Sequence, residues 1–253
     1  MASRSSQPEP SPLPRETADA DAATAEYARR FAGAVGGWFL EVQTRLTLAC
    51  LEGLPYGAMV LDVGGGHAQV APPLLAAGYR VTVVGSDRAC GRRLEPWTST
   101  GQCGFDVADL HHLPYADRAF DAVICYRLLA HSVDWHRLVG ELCRVTASRV
   151  IVDYPSRRSV NIVSQGLFDL KLSIERGTTR RYAMYGRDEM AAGFEQAGFR
   201  VTEERPQFFL PMALYRLGRS AALGRAVEWP ARALRLTRAF GSPVIARADR
   251  RRS

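Results

Sequence analysis

Val60-Leu61-Asp62-Val63-Gly64-Gly65-Gly66-His67-Ala68-Gln69 joins a short apolar run to three consecutive glycines, and its reading decides the fold. Residues 59–63 form a run rich in Val and Leu, as in a strand covered on both faces. Pro72 and Pro73 follow shortly after Gln69, where the first N–H groups of a helix have no intrahelical acceptor, so a helix begins a few residues after Gly66. The glycines thus occupy a strand-to-helix turn, where open α/β sheets bind ligands. Their missing side chains permit tight turning and close approach of a ligand to the backbone. A dinucleotide fingerprint needs a third glycine where Gln69 stands, and a phosphate loop needs Gly-Lys-Ser/Thr; neither pattern is met. A tight turn that holds no ligand is the plainer alternative.

Outward from this turn, short runs rich in Val and Ile at 80–84, 103–107, 121–125 and 149–153 alternate with helix-period segments such as 135–145, which implies a parallel sheet covered on both faces. A helix follows at 187–197, a strand at 199–209 and a last strand at 242–247. Upstream, Tyr27, Phe31, Val35 and Trp38 recur at helical spacing, and Gly36-Gly37 offers a break before a second helix that ends at Gly53. Residues 1–20, rich in Ser, Pro and charge, lack the apolar content that offsets the entropy of ordering and are expected to be a disordered tail. The length suits one α/β domain over 21–248, with a core at 57–153, and residues 249–253 as a basic tail.

No apolar run approaches the roughly 18–20 residues that span a bilayer, and the N-terminus lacks the apolar stretch of a signal peptide, so the expected compartment is the cytoplasm. Cys50, Cys90, Cys103, Cys125 and Cys143 are odd in number and show no C-x-x-C spacing, which supports neither a disulfide framework nor a zinc site. The five histidines form no metal constellation either. The net charge of +7 is concentrated in residues 211–253, which hold ten arginines against Glu228 and Asp249.

The ordered series V-L-D-V-G-G-G, V-T-V-V-G-S-D, D-L-H-H-L-P-Y-A-D-R-A-F-D-A-V-I-C, E-L-C-R-V and R-V-I-V-D-Y-P resembles the class I methyltransferases, in particular the small-molecule type 11 group. The resemblance covers roughly Val60 to Asp153. It implies a Rossmann-like, seven-stranded, mostly parallel sheet of order 3-2-1-4-5-7-6 with strand 7 antiparallel, and S-adenosylmethionine across the carboxyl ends of strands 1 to 4. By this resemblance Gly64, Gly65 and Gly66 pass beneath the amino-acid part of the cofactor while Asp62 reaches its ammonium, although the carboxylate can equally bond the N–H groups of its own loop. The family's ribose-binding acid after strand 2 falls at Gly85 by direct counting, or at Asp87 if the turn is longer. Asp87 can also be an exposed turn residue. Asp109 matches the acid that meets the adenine amino group, its alternative being a cap, and Leu110 and Cys125 complete the cofactor-binding set that the resemblance implies.

Methyl transfer from a sulfonium is an in-line displacement, so alignment and exclusion of water do much of the work and a base is needed only for a protonated acceptor. Residues after strands 4 and 5 shape the acceptor side: Tyr126, Arg127 and His131, then Tyr154, Arg157 and Arg158. Tyr126 and His131 are the catalytic candidates, and a structural role is the alternative for His131. His67 caps the loop or contacts ligand, and His111 and His112 are expected at the surface. The chain lacks the Asn/Asp-Pro-Pro-Tyr/Phe and Pro-Cys motifs of nucleic-acid methylating enzymes and any appended recognition motif, so a small organic or lipid-like acceptor is expected rather than nucleic acid. A noncatalytic protein that binds S-adenosylmethionine is the alternative. Residues 159–180 and 211–240 are expected to form helical lid insertions over the acceptor side. Arg232, Arg235 and Arg238 recur every third residue, as in a basic helix resting on an anionic membrane or in a solvated helix face.

Overall fold

The computed structural model describes residues 15–159 and 182–251. Seven strands form one sheet in the order β3-β2-β1-β4-β5-β7-β6: β1 Met59–Val63, β2 Arg80–Gly85, β3 Cys103–Val107, β4 Phe120–Cys125, β5 Thr146–Tyr154, β6 Phe199–Phe208 and β7 Ser242–Arg250. The first five are parallel, and β7 runs antiparallel between β5 and β6. Side chains alternate across the strands, so each strand feeds two cores. Leu61, Val63, Val123, Val150 and Val152 pack on one face with Leu138, Leu142 and Phe194. Val60, Val83, Ile124 and Ile151 pack on the other with Leu51 and Leu74.

The helices are α1 Ala18–Ala22, α2 Ala25–Arg29, α3 Gly33–Leu51, α4 Ala71–Ala76, α5 Glu95–Thr98, α6 Trp135–Val145, α7 Arg187–Gln196, α8 Met212–Leu217, α9 Ala221–Ala233 and α10 Leu236–Phe240. As the two prolines require, α4 opens with them in its first turn, directly after the glycine loop. Among the described residues no helix is long and apolar enough to cross a membrane.

Four expectations change. The upstream break falls before Gly33 rather than at Gly36-Gly37, which lie inside α3; a side chain on Gly36 would meet the Phe31 carbonyl carbon at 2.2 Å, so this glycine serves close packing. Residues 15–20 are not all tail: Glu16, Ala18 and Asp19 are buried. The basic tail starts later than 249, because Asp249 and Arg250 belong to β7 and the Arg250 guanidinium donates to the carbonyls of Cys143, Thr146 and Ala147. The arginine stripe is not one helix, since Arg235 adopts φ +59° between α9 and α10. Of the two insertions, 211–240 is helical, whereas most of 159–180 lies outside the described residues.

Candidate active site

The carboxyl ends of β1, β2, β4 and β5 converge beside the glycine loop. Gly64 has φ +75°, a conformation that favours glycine. A side chain on Gly65 would meet the Asp62 carboxylate at 2.1 Å, and one on Gly66 would meet Cys90 Cβ at 2.7 Å and its backbone at 2.9 Å. Asp62 is buried, and neither carboxylate oxygen has a hydrogen-bond partner. The alternative of loop N–H groups bonding to it is therefore not realised. Burial pushes the Asp62 carboxyl up to about 7, a rise that the Arg127 charge partly opposes. The His67 ring is buried too; its Nδ1 accepts the Gln69 N–H at 3.2 Å while Nε2 has no partner. Burial, then the charges of Arg127 and Arg93, hold its pKa well below the usual histidine value, so the ring is neutral.

At the end of β2 the structure departs from the sequence reading. Asp87 is exposed and its Oδ1 accepts the Ala89 N–H at 2.7 Å, capping the 3-10 turn Arg88–Leu94. The carboxylate at this strand end belongs to Asp19 of α1, which accepts Ser86 N–H at 2.8 Å and Ser86 Oγ–H at 2.5 Å. Its Oδ2 lies 3.3 Å from where a side chain on Gly85 would begin, with Cys90 Cβ nearer at 2.7 Å, so a carboxylate does stand beside position 85 although it comes from α1. Three residues earlier, Glu16 accepts the N–H groups of Ala18 and Val133, and its Oε2 is 3.8 Å from His111 Nε2. This contact explains why His111, expected at the surface, is buried, while His112 is exposed. Nothing in the composition of residues 1–20 singles out Glu16 and Asp19, because their partners are about 67 to 117 positions away.

Asp109 is half-buried and its Oδ1 accepts the His111 N–H at 3.0 Å, which is a cap, while Leu110 and Cys125 are fully buried. Tyr126, a catalytic candidate from sequence, turns into the core instead, where its hydroxyl and Thr47 Oγ1 are 2.7 Å apart. Tyr154 is likewise buried, bonded to Glu204, and Arg157 pairs with Glu189 at 2.8 Å. Strand alternation sends both tyrosines inward, a direction that a residue's place after a strand does not reveal.

His131 does line a cavity of about 430 Å³, together with Arg127, Asp153 and Pro155 from the sheet ends, Tyr27, Arg30 and Phe31 from the α2 region, and Met212, Leu214 and Arg216 from α8. The His131 ring stands 5.4 Å from Tyr182. Arg127 organises this wall. It adopts φ +60°, its N–H donates to Asp153 Oδ1 at 2.5 Å, its guanidinium bonds Gln43 and Gln69, and it stacks 4.4 Å from the Phe31 ring centre. A non-glycine residue in this region stores strain that the surrounding contacts must hold, a feature concentrated at functional sites.

The family model described as a methyltransferase domain matches residues 61–152, the span from β1 through most of β5. The fold is that of the class I methyltransferases. No curated protein matches it. Among solved structures, magnesium protoporphyrin IX methyltransferase from Synechocystis PCC 6803, with bound SAH, is similar at 16% identity and a TM-score of 0.62, covering 91% of this chain and 97% of that one. A putative methyltransferase in complex with the Trm112 methyltransferase activator of Haloferax volcanii also gives a TM-score of 0.62, at 17% identity over 94% and 98% of the two chains. The [4+2]-cyclase SpnF is similar at 21% identity and a TM-score of 0.55, over 83% and 81%. At these identities the likeness is one of fold.

Proposed function

We propose that the protein transfers the methyl group of S-adenosylmethionine to a small organic or lipid-like acceptor held in the cavity lined by Arg127, His131 and Asp153. The observation that carries this reading is Asp62, a buried carboxylate without a hydrogen-bond partner for either oxygen, beside a glycine loop. Such a group is costly to bury unless a ligand satisfies it, and an ammonium does so. In this reading Asp62 takes the cofactor's ammonium, Gly64–Gly66 give its amino-acid part room, and Asp109, Leu110 and Cys125 border the nucleoside side. The bound cofactor supplies an electrophilic methyl group. Arg127 and the cavity wall align the acceptor and exclude water, and His131 is the side chain placed to accept a proton if the acceptor carries one.

α1 lies against this loop, with Asp19 Cβ 3.3 Å from where a side chain on Gly64 would begin and its carboxylate holding Ser86, so in this reading α1 withdraws as the cofactor enters. Arg93 holds the carbonyls of Ala23 and Thr24, so α2 can keep its place while Glu16–Asp19 withdraws.

Binding without methyl transfer is the second reading, favoured by the similarity to a fold neighbour named as a cyclase. Calorimetry with S-adenosylhomocysteine, followed by transfer from methyl-labelled S-adenosylmethionine to extract of the source cell, separates the two. Absence of calorimetric binding rejects both, and binding with no labelled product supports the second.

A finer proposal concerns location: Leu217, Trp229 and Leu234 are 78%, 74% and 70% exposed in the segment 211–240, which holds six of the ten arginines of residues 211–253, and this supports peripheral contact with an anionic membrane.

A further inference from the structure

The acceptor side of the cavity carries a charge pattern that a neutral substrate does not explain. Arg30, Arg127 and Arg216 all line it, from three segments far apart in sequence. Among the described lining residues only Asp153 is acidic, and Asp153 Oδ1 already accepts the Arg127 N–H. The guanidinium of Arg127 is spent on two neutral amide oxygens, of Gln43 and Gln69. Arg216 donates through Nε to the Arg30 carbonyl at 3.2 Å and lies 5.5 Å from the Phe39 ring centre. Arg30 lies 5.4 Å from the Tyr27 ring centre. Among the described residues none of the three is in an ion pair. The crowding has an electrostatic cost: burial first, then the charges of Arg30 and Arg127, pull the Arg216 pKa down. Much of the rest of the wall is apolar or aromatic, including Phe31, Pro155, Pro211, Met212 and Leu214, with Gln43, Gln207 and Ser242 as its neutral polar members.

We propose that the acceptor is a mainly apolar molecule bearing an anionic oxygen group, which Arg30 and Arg216 hold at the rim while its apolar body lies against Phe31 and Met212. This rests on the methyltransferase reading only for the name "acceptor"; the anion site stands on the arginines themselves. Guanidinium groups match the two oxygens of a carboxylate or the oxygens of a phosphate monoester, and the apolar wall excludes water, which strengthens the pairing. Arg127 is a positioning residue here, since its donors are engaged by glutamine side chains. A negative group on the ligand relieves the repulsion among the three cations. Anchoring one end of the ligand in this way fixes the other end relative to the transferred methyl.

The test is direct binding, measured by calorimetry on the full chain. Matched aromatic ligands differing in one group serve as probes: 2-naphthoate, 2-naphthyl phosphate and 2-naphthamide. We expect one or both anions to bind about tenfold or more tightly than the amide, with affinity falling as salt rises. Arg30→Gln and Arg216→Gln should each remove most of that preference. Circular dichroism checks folding, and the affinity for S-adenosylhomocysteine is measured beside it. Anions binding no better than the amide overturns the proposal, as does an unchanged preference in both folded variants. Tight anion binding by a protein that ignores S-adenosylhomocysteine would instead leave the anion site in place and remove the methyltransferase reading. The reverse result removes the anion site and keeps the cofactor site.

Discussion

Each glycine of the loop is required for a separate reason, and each reason involves a different partner. Gly64 needs its positive φ, Gly65 lies against the Asp62 carboxylate, and Gly66 lies against the backbone of Cys90. A bulky residue at 66 would therefore displace the 3-10 turn as well as any ligand, so Asp62 is the cleaner probe. Its carboxyl has a pKa of about 7 in the folded protein against a reference of 3.8, so the folded state binds the extra proton between these values. The stability linked to this group is complete below pH 4 and is lost as pH rises through 7. Asp62→Asn should accordingly match the wild type in urea unfolding at pH 4 yet exceed it by about 2–4 kcal/mol at pH 8. The same variant should bind S-adenosylhomocysteine more weakly at both pH values. Equal stability gaps at pH 4 and pH 8 would remove the titration argument. For Tyr126, whose hydroxyl meets Thr47, the expectation is structural: Tyr126→Phe should cost about 1 kcal/mol in unfolding and leave ligand affinity unchanged.

Among the elements, α1 is the one whose position conflicts with its composition. Five residues of Ala and Asp cannot hold a helix in isolation. The segment stays because Asp19 accepts the Ser86 N–H just after β2, Glu16 accepts the Val133 N–H just before α6, and Ala18 is buried in the core. The Ser86 N–H lies at the end of β2, where the resemblance expects the ribose, so in the proposed reading α1 and the cofactor compete. Asp19→Ala should then tighten binding of S-adenosylhomocysteine about threefold or more, since the competing contact is lost. Calorimetry decides the direction: weaker binding in Asp19→Ala would make this carboxylate a ligand of the ribose, standing in for the acid missing at Gly85.

At the scale of the whole molecule, the surface built by α8, α9 and α10 combines exposed Leu217, Leu223, Trp229 and Leu234 with a cluster of arginines. Arg232 is committed to the Gln207 carbonyl and lies 3.5 Å from Glu228, so it serves the fold rather than a partner. The informative variants are therefore Leu217→Ser and Trp229→Ser. Sedimentation with anionic vesicles should recover the wild type in the pellet at low salt, less at high salt, and neither variant to the same extent. Equal recovery in the supernatant with anionic and neutral vesicles would remove the membrane contact without touching the active site.

The parallel sheet and the glycine turn were legible in the sequence because they rest on local signals, namely continuous apolar runs, helical periodicity and prolines in a first turn, while the strand order came from the family resemblance of motifs in a fixed order along 60–153. The positions of Asp62 in β1 and of His131 after β4 were legible for the same reason, while their roles stand as proposals. Asp19 was hidden by its setting in a polar segment without periodicity, and Tyr126 was misplaced because nearness to a strand end does not say which way a side chain turns. Only the tertiary structure joined Asp19 to Ser86, Glu16 to Val133, and Arg30 to Arg127 and Arg216 around one cavity. Such groups come from distant segments, and their meeting depends on how helices dock against the sheet, a long-range packing outcome that no short window of residues encodes.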